Sequence, residues 1–258
     1  MESASPLTAL DAFERVLAHG AGRLIEPFGA YEASPLMGGG TRLASDRGLP
    51  PPERLSCQGR GNHLIMGRGA KPPMRLRFNG TGNVLFLAPW SDASRAIFDL
   101  TATDGLIFVG AFTRLGANTS LMLRGQTGAI TIGDHCLLGE RIIASNSDGH
   151  AIYSRETRQR INPERDIAVG DRAFVGHDCR LAKGALIEPD GIVLHSSLVS
   201  GTVRGHCAYG GVPARLVQEG VAWAPGTADT LDEAQAAELQ AKAERVEALR
   251  TLMARSEA

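Results

Sequence analysis

Aliphatic residues recur at every sixth position through the second half of the chain: Val169, Val175, Leu181, Ile187, Val193 and Val199. Two positions before each of them lie Ile167, Ala173, Cys179, Ala185, Gly191 and Ser197, five of the six being small. Two positions after the first five lie Asp171, His177, Lys183, Pro189 and His195, none of them aliphatic. A flat strand alternating with period two would need apolar residues there as well. A helix fails because six is not a multiple of 3.6 and because Pro189 and several glycines interrupt the run. The backbone must therefore turn once in every six residues and aim one aliphatic side chain inward per turn. This describes a solenoid of short parallel strands with three hexads to a triangular coil, successive coils stacking at about 4.8 Å.

Composition agrees with narrow coils filled by small and branched side chains. Aromatics are 5% of the 258 residues and glycines number 31. A net charge of −1 offers no global basic field for nucleic acid. No uninterrupted apolar stretch approaches the roughly 20 residues of a membrane span. The N-terminus carries Glu2, Asp11 and Glu14 before any hydrophobic run, unlike a signal peptide. The four cysteines (57, 136, 179 and 207) show no CxxC spacing. Cys136 and Cys179 occupy the small inward position, so reduced core cysteines and a cytoplasmic protein are expected.

Three regions follow. Residues 1–70 read as an N-terminal extension, with a short helix over residues 6–19 (Leu7, Leu10, Phe13 and Leu17 on one face) and then irregular Gly- and Pro-rich chain. Residues 71–223 read as the solenoid. Within it Val109, Leu115 and Leu121 are again six apart, and a second patch runs through Ile132 and Leu138. The spacing from Leu138 to Val169 is not a multiple of six, and the polar segment 145–166 is read as a loop thrown out of the coil. Residues 224–258 read as an amphipathic helix capped by Thr230 and Glu233, with Leu239, Val246, Leu249 and Met253 on one face.

Three stretches carry a family likeness: SDGHAIY (147–153) with RINPERDIAVGD (160–171), the ladder over 167–200, and SSLVSGTVRGHCAYGGVPARLVQEGVAW (196–223). Together they resemble the hexapeptide-repeat acyltransferases, in the sugar and polysaccharide O-acetyltransferase branch. The resemblance implies an all-β solenoid, a left-handed parallel β-helix, assembled as a homotrimer with sites between subunits. It also implies acetyl-CoA as donor, a small-molecule or glycan acceptor and no metal. The likeness covers roughly residues 80–223. Departures from the family pattern are Phe174 in place of a usual Trp, Gly201 in place of a usual Lys, and the bulky His195 in place of a small residue.

Moving an acyl group from a thioester to a hydroxyl needs a base, an oxyanion donor and a coenzyme channel. His150 is the best base in the chain, because histidine ordinarily titrates near neutral pH and this one sits in a polar loop two residues after Asp148. Asp148 would orient the imidazole or bind a sugar hydroxyl. Asn146 is the candidate oxyanion donor. The resemblance places coenzyme contacts at Gly176, Ala182, Lys183 and Ser197, puts Arg215 on the nucleotide phosphate, where a fixed guanidinium fork suits the chemistry, and puts Phe174 beside the substrate. His177 and His195, one coil of three hexads apart, should stack about 5 Å from each other on one face. Two other readings stay open: a carbonic-anhydrase-like zinc protein on the same solenoid, and a non-catalytic scaffold.

Overall fold

The computed structural model describes residues 52–226 continuously, the strands Ser34–Pro35 and Arg42–Ser45, and residues 229–230, 233–234, 237 and 241. The described chain winds into a parallel β-solenoid of about seven coils. Its first face stacks nine strands: Ser34–Pro35, Arg42–Ser45, His63–Met66, Val84–Leu87, Leu106–Val109, Ala129–Ile132, Ile167–Val169, Leu186–Ile187 and Thr202–Val203. The second face stacks Arg54–Cys57, Arg75–Phe78, Ile97–Leu100, Ser120–Leu123, Ile143–Ser145, Arg180–Leu181 and Leu198–Val199. The third comprises Arg114–Leu115, Leu137–Leu138, Phe174–Val175, Ile192–Val193, Cys207–Gly210 and Arg215–Glu219. The six ladder residues Val169 to Val199 are all buried at 3% exposure or less, as are Ala173, Cys179, Ala185 and Ser197. Neighbouring coils pair in parallel at a distance of three hexads, Ala168 with Leu186, Phe174 with Ile192 and Arg180 with Leu198. The hexad therefore sets the geometry of this half.

The earlier coils are longer. Leu55 pairs with Leu76, Leu76 with Phe98, and Phe98 with Leu121, each step longer than three hexads and longer than the step before it. The extra residues all fall at one corner. From first to third face the spacing is six (Leu87 to Ala93, Val109 to Leu115), from third to second it is five and then six (Ala93 to Phe98, Leu115 to Leu121), and the second-to-first corner carries eleven (Phe98 to Val109, Leu121 to Ile132). Asparagines brace it. Asn83, fully buried, donates to Ala102 O at 2.7 Å and accepts the Gly105 N–H at 3.1 Å, and Asn62 spans Gly80 and Asn83 in the same way. A carboxamide supplies both a donor and an acceptor, so it closes a main-chain gap that a regular ladder would leave open. Because these coils break the six-residue period, the solenoid begins earlier than residue 71: Arg42–Ser45, Arg54–Cys57 and His63–Met66 already belong to its faces. The helix expected over residues 6–19 lies outside the described residues, as does that over 224–258 apart from isolated positions.

Left-handed residues recur at corners in register with those of neighbouring coils. At the first-to-third corner these are Trp90, Phe112, His135, Arg172, Asp190 and His206, with φ between 53° and 62°. Such a conformation costs a residue other than glycine roughly 1–2 kcal/mol. A main-chain bond to the preceding coil offsets it each time, as in His135 N to Ala111 O and Asp190 N to Asp171 O. The same corner carries stacked carboxylates: Asp134 accepts the Ala111 N–H at 2.7 Å and Asp171 accepts the Asp134 N–H at 2.8 Å. Burial, and then the charge of Asp171, push the Asp134 carboxyl up to about 6 against the pull of the Ala111 N–H. Burial likewise pushes the Cys136 thiol up to about 12, and all four cysteines are free.

Two consequences are measurable. Ile187 is fully buried between coils, so Ile187→Asp would bury an unpaired charge. Expression should yield insoluble or unfolded chain by circular dichroism, and a soluble protein melting as wild type would refute the register. Asp134 is more basic folded than unfolded, so its stabilising share is complete below the ordinary carboxylate range and is lost as pH rises through about 6. Asp134→Asn still accepts the Ala111 N–H and carries no charge. It should flatten the fall in melting temperature between pH 5 and pH 7.5, an effect on the order of 2 kcal/mol.

Candidate active site

The 145–166 segment leaves the second face at Ser145 and rejoins the first at Ile167, the same corner that carries surplus residues in earlier coils. Register across it is kept: Ile132 pairs with Val169, Leu138 with Val175 and Ala144 with Leu181. Contacts across the loop join positions 37 apart in sequence, as Asp134 does with Asp171, where later coils need only 18, as from Arg172 to Asp190. The loop is thus an insertion slightly longer than one later coil, and it leaves the coils in step. Its first turn is fixed locally. Ser145 Oγ donates to Ser147 O at 2.7 Å, Gly149 N donates to Ser147 Oγ at 3.1 Å, and Gly149 sits at φ 86°, where glycine is required. Beyond it the chain folds back as a hairpin, Ile161 N bonding Ile152 O and Ser154 N bonding Gln159 O.

Asn162 ties the two arms together. Its side chain, 7% exposed, accepts the Ile152 N–H at 2.6 Å and donates to His150 O at 2.9 Å and to Asp148 Oδ2 at 2.8 Å. Lys183, from the coil after the loop, pairs with the same Asp148 oxygen at 2.7 Å. The Lys183 ammonium, then the Asn162 amide, hold the Asp148 carboxyl below the usual carboxylate range. Further out Arg160 grips Glu164 with both amino groups at 3.0 and 2.6 Å, and Ser147 Oγ reaches Glu164 at 3.3 Å. His150 itself is exposed, and its ring makes no hydrogen bond among the described residues. A fixed backbone thus presents a free imidazole to solvent.

The other residues singled out in the sequence separate into distinct places. Asn146 is fully buried and points into the corner, its carboxamide closing on Arg124 N at 2.8 Å and Arg124 O at 2.9 Å. It braces the coil as Asn83 does, with one amide N–H engaged at the Arg124 carbonyl. Lys183 stands on the His150 loop through Asp148 rather than in a coil groove. Ser197 is buried, its hydroxyl donating to Leu194 O at 2.7 Å and accepting from Gly211 N at 3.1 Å. At Gly176 a β-carbon would come within 2.8 Å of His195 N, so only glycine allows that approach of coils. Ala182 continues the ladder by a bond from its N–H to Val199 O. Arg215 is exposed at the start of the last strand, one amino group on Ala214 O at 3.0 Å. Phe174 is half-buried against Trp223 at 5.5 Å, and the Trp223 indole N–H donates to Arg172 O at 2.6 Å. His177 and His195 do stack, their centroids 5.0 Å apart, with His177 Nδ1 accepting the Glu140 N–H. Asn162 had a sequence signal, the Asn-Pro step within the quoted RINPERD, but its three bonds could not be read from one dimension.

The solenoid has a counterpart among solved structures. The chain has the fold of the polySia-specific acetyltransferase NeuO. That crystal structure superposes with a TM-score of 0.68 at 21% identity, over 78% of this chain and 87% of NeuO. In sequence, 127 residues are 29% identical to the polysialic acid O-acetyltransferase of Escherichia coli O1:K1, covering 49% of this chain and 41% of that protein. The polysialic acid O-acetyltransferase of Neisseria meningitidis is 29% identical over 97 residues, 33% of this chain and 45% of that one. The matches thus span less than half the length of either relative. No family model matches the chain. No helix among the described residues is long and apolar enough to cross a membrane, and no group of three or more His, Cys, Asp or Glu among them could hold a metal ion.

The Asn162 clamp can be tested without substrate. Asn162→Ala leaves the Ile152 N–H and the Asp148 carboxylate short of partners while the coils keep their ladders. Trypsin should cut at Arg155, Arg158 or Arg160 at least tenfold faster than in wild type, with the melting temperature of the solenoid nearly unchanged. Equal cleavage rates would show that the loop is held by other contacts.

Proposed function

We propose that this protein is an O-acetyltransferase that moves an acetyl group from acetyl-CoA to a hydroxyl of an acidic polysaccharide of the polysialic acid kind. The observation that carries the reading is an exposed His150 on a loop whose backbone is pinned by Asn162 and whose carboxylate, Asp148, is pinned by Lys183. Similarity to two polysialic acid O-acetyltransferases supports the acceptor class. His150 takes the proton of the acceptor hydroxyl as that oxygen attacks the thioester carbonyl, and returns it to the departing thiolate. Asp148 and Asn162 act by position, holding the loop so that the imidazole meets the hydroxyl at hydrogen-bonding distance.

The coils wind left-handed and three subunits close around an axis. Exposed Ile152, Tyr153 and Ile161 on the hairpin, at 52%, 60% and 62%, suit burial against a neighbouring subunit. Acetyl-CoA, as a substrate, would lie along the coils by Gly176, Ala182 and Ser197, which offer main chain without bulky outward side chains. The exposed guanidinium of Arg215 would meet a phosphate and Phe174 would flank the acceptor. A cytoplasmic location suits the free cysteines and the donor.

The test is release of coenzyme A from acetyl-CoA with polysialic acid as acceptor. His150→Ala should keep the wild-type assembly by light scattering and lose roughly 10²–10⁴ in turnover, the usual contribution of a positioned general base. Wild-type turnover in the variant would remove His150 from the chemistry.

A further inference from the structure

A groove of about 720 Å³ lies on the second face near its N-terminal end, over strands Arg54–Cys57 and Arg75–Phe78. Three arginines border it. Arg54 stands opposite Arg75 across the parallel pair, and Arg77 stands opposite Ser56. Like charges facing each other on adjacent strands destabilise a sheet. Arg77 spends one amino group on Asp99 at 3.2 Å, but among the described residues neither Arg54 nor Arg75 has an acidic partner, although Glu53 also lines the groove. In a chain with 28 acidic residues and a net charge of −1, this concentration of guanidinium groups is a local choice. Between the arginines lie Ser56, Gln58 and Asn79, whose hydroxyl and amides suit sugar hydroxyls, and no aromatic lines the groove to stack a nucleobase.

The groove shares its face with the root of the His150 loop. Arg77 leads through Asp99 and Met122 to Ser145, where the loop departs, by in-register pairing of neighbouring strands. Those three steps cover roughly 14 Å at the inter-strand spacing, a span for a few linked sugars. We infer that this arginine groove is an anchoring subsite for a carboxylate-bearing saccharide chain that runs along the second face to the His150 loop. The guanidinium fork matches the sugar carboxylate bidentately, and the chain length bound at the groove adds to affinity without touching the reacting hydroxyl. This inference rests on the acyl-transfer reading of the loop and adds a distant part of its acceptor site.

The experiment compares wild type with the double variant Arg54→Gln/Arg75→Gln, both positions outward-facing, with melting temperature as the folding control. Acceptors are long polysialic acid and its trisaccharide. In wild type, kcat/KM should favour the long acceptor, and raised salt should erase that preference. In the double variant the ratio of long to short should fall at least tenfold through KM. A second arm titrates polysialic acid, and dextran as the neutral comparator, into His150→Ala protein with and without the arginine changes. Salt-sensitive binding of polysialic acid alone, lost in the double variant, supports the subsite. An unchanged long-to-short ratio, equal binding with and without the arginines, equal binding of dextran, or displacement of the polymer by coenzyme A would each overturn it. If wild type acetylates neither acceptor, the acyl-transfer reading fails, and the binding arm still decides the groove. Should the double variant misfold, Arg75→Lys, which keeps charge but loses the fork, should still lower the ratio.

Discussion

A solenoid coil must turn three corners and return to its start one strand spacing further along, with every outward carbonyl and N–H handed to a neighbouring coil. That closure condition governs this molecule. Bulky residues such as Trp90, Phe112 and Arg172 accept a left-handed backbone because each main-chain N–H there finds a carbonyl one coil back. Local strain is thus held in place by non-local order, and the order is uniform because every coil imposes it on the next. On the third face the inward positions pair one aliphatic side chain with one small residue, Val193 beside Gly191 and Val175 beside Ala173.

The first-to-third corner keeps its six-residue spacing from coil to coil, and the second-to-first corner absorbs the insertions. Early coils use that freedom for a few extra residues braced by asparagine, and one later coil uses it for a loop that more than doubles the basic repeat. The pairing on both sides of the insertion is undisturbed, so the cost of the loop is confined to its own closure, which grows slowly with length. Asn162 and Lys183 then spend side-chain bonds to make that loop behave like scaffold. Asn146 shows the same economy at the start of the loop, where its carboxamide braces the corner.

The region from Ile167 to Val199 was legible because its coils contain nothing but hexads, so a one-dimensional period equals a three-dimensional one. The same reading stopped at residue 71 because coils longer than three hexads interrupt the period at each turn, and hydrophobic spacing then resembles ordinary short strands. The stacking of His177 on His195 followed directly from a coil of three hexads. The loop was legible as an insertion and His150 as its candidate base, but the pairing of Asp148 with Lys183 joins positions 35 apart and depends on where the loop folds back. Asn162 offered only its neighbour Pro163 as a signal, and the groove of Arg54, Arg75 and Arg77 required the cross-strand register before its charges could be placed together.

The last two strands differ from the rest. After Cys207–Gly210 the chain reverses, and Arg215–Glu219 pairs antiparallel to it, fully exposed and with an irregular step between Ala208 and Tyr209. A stack of parallel strands has a terminal edge that would accept another chain of any origin in cross-β fashion. On the third face this reversed, bulged strand, carrying Arg215 at one end and Glu219 at the other, covers that edge with a geometry the next coil cannot extend. On that face the growth of the parallel stack ends at five residues, Arg215–Glu219, that run against the repeat.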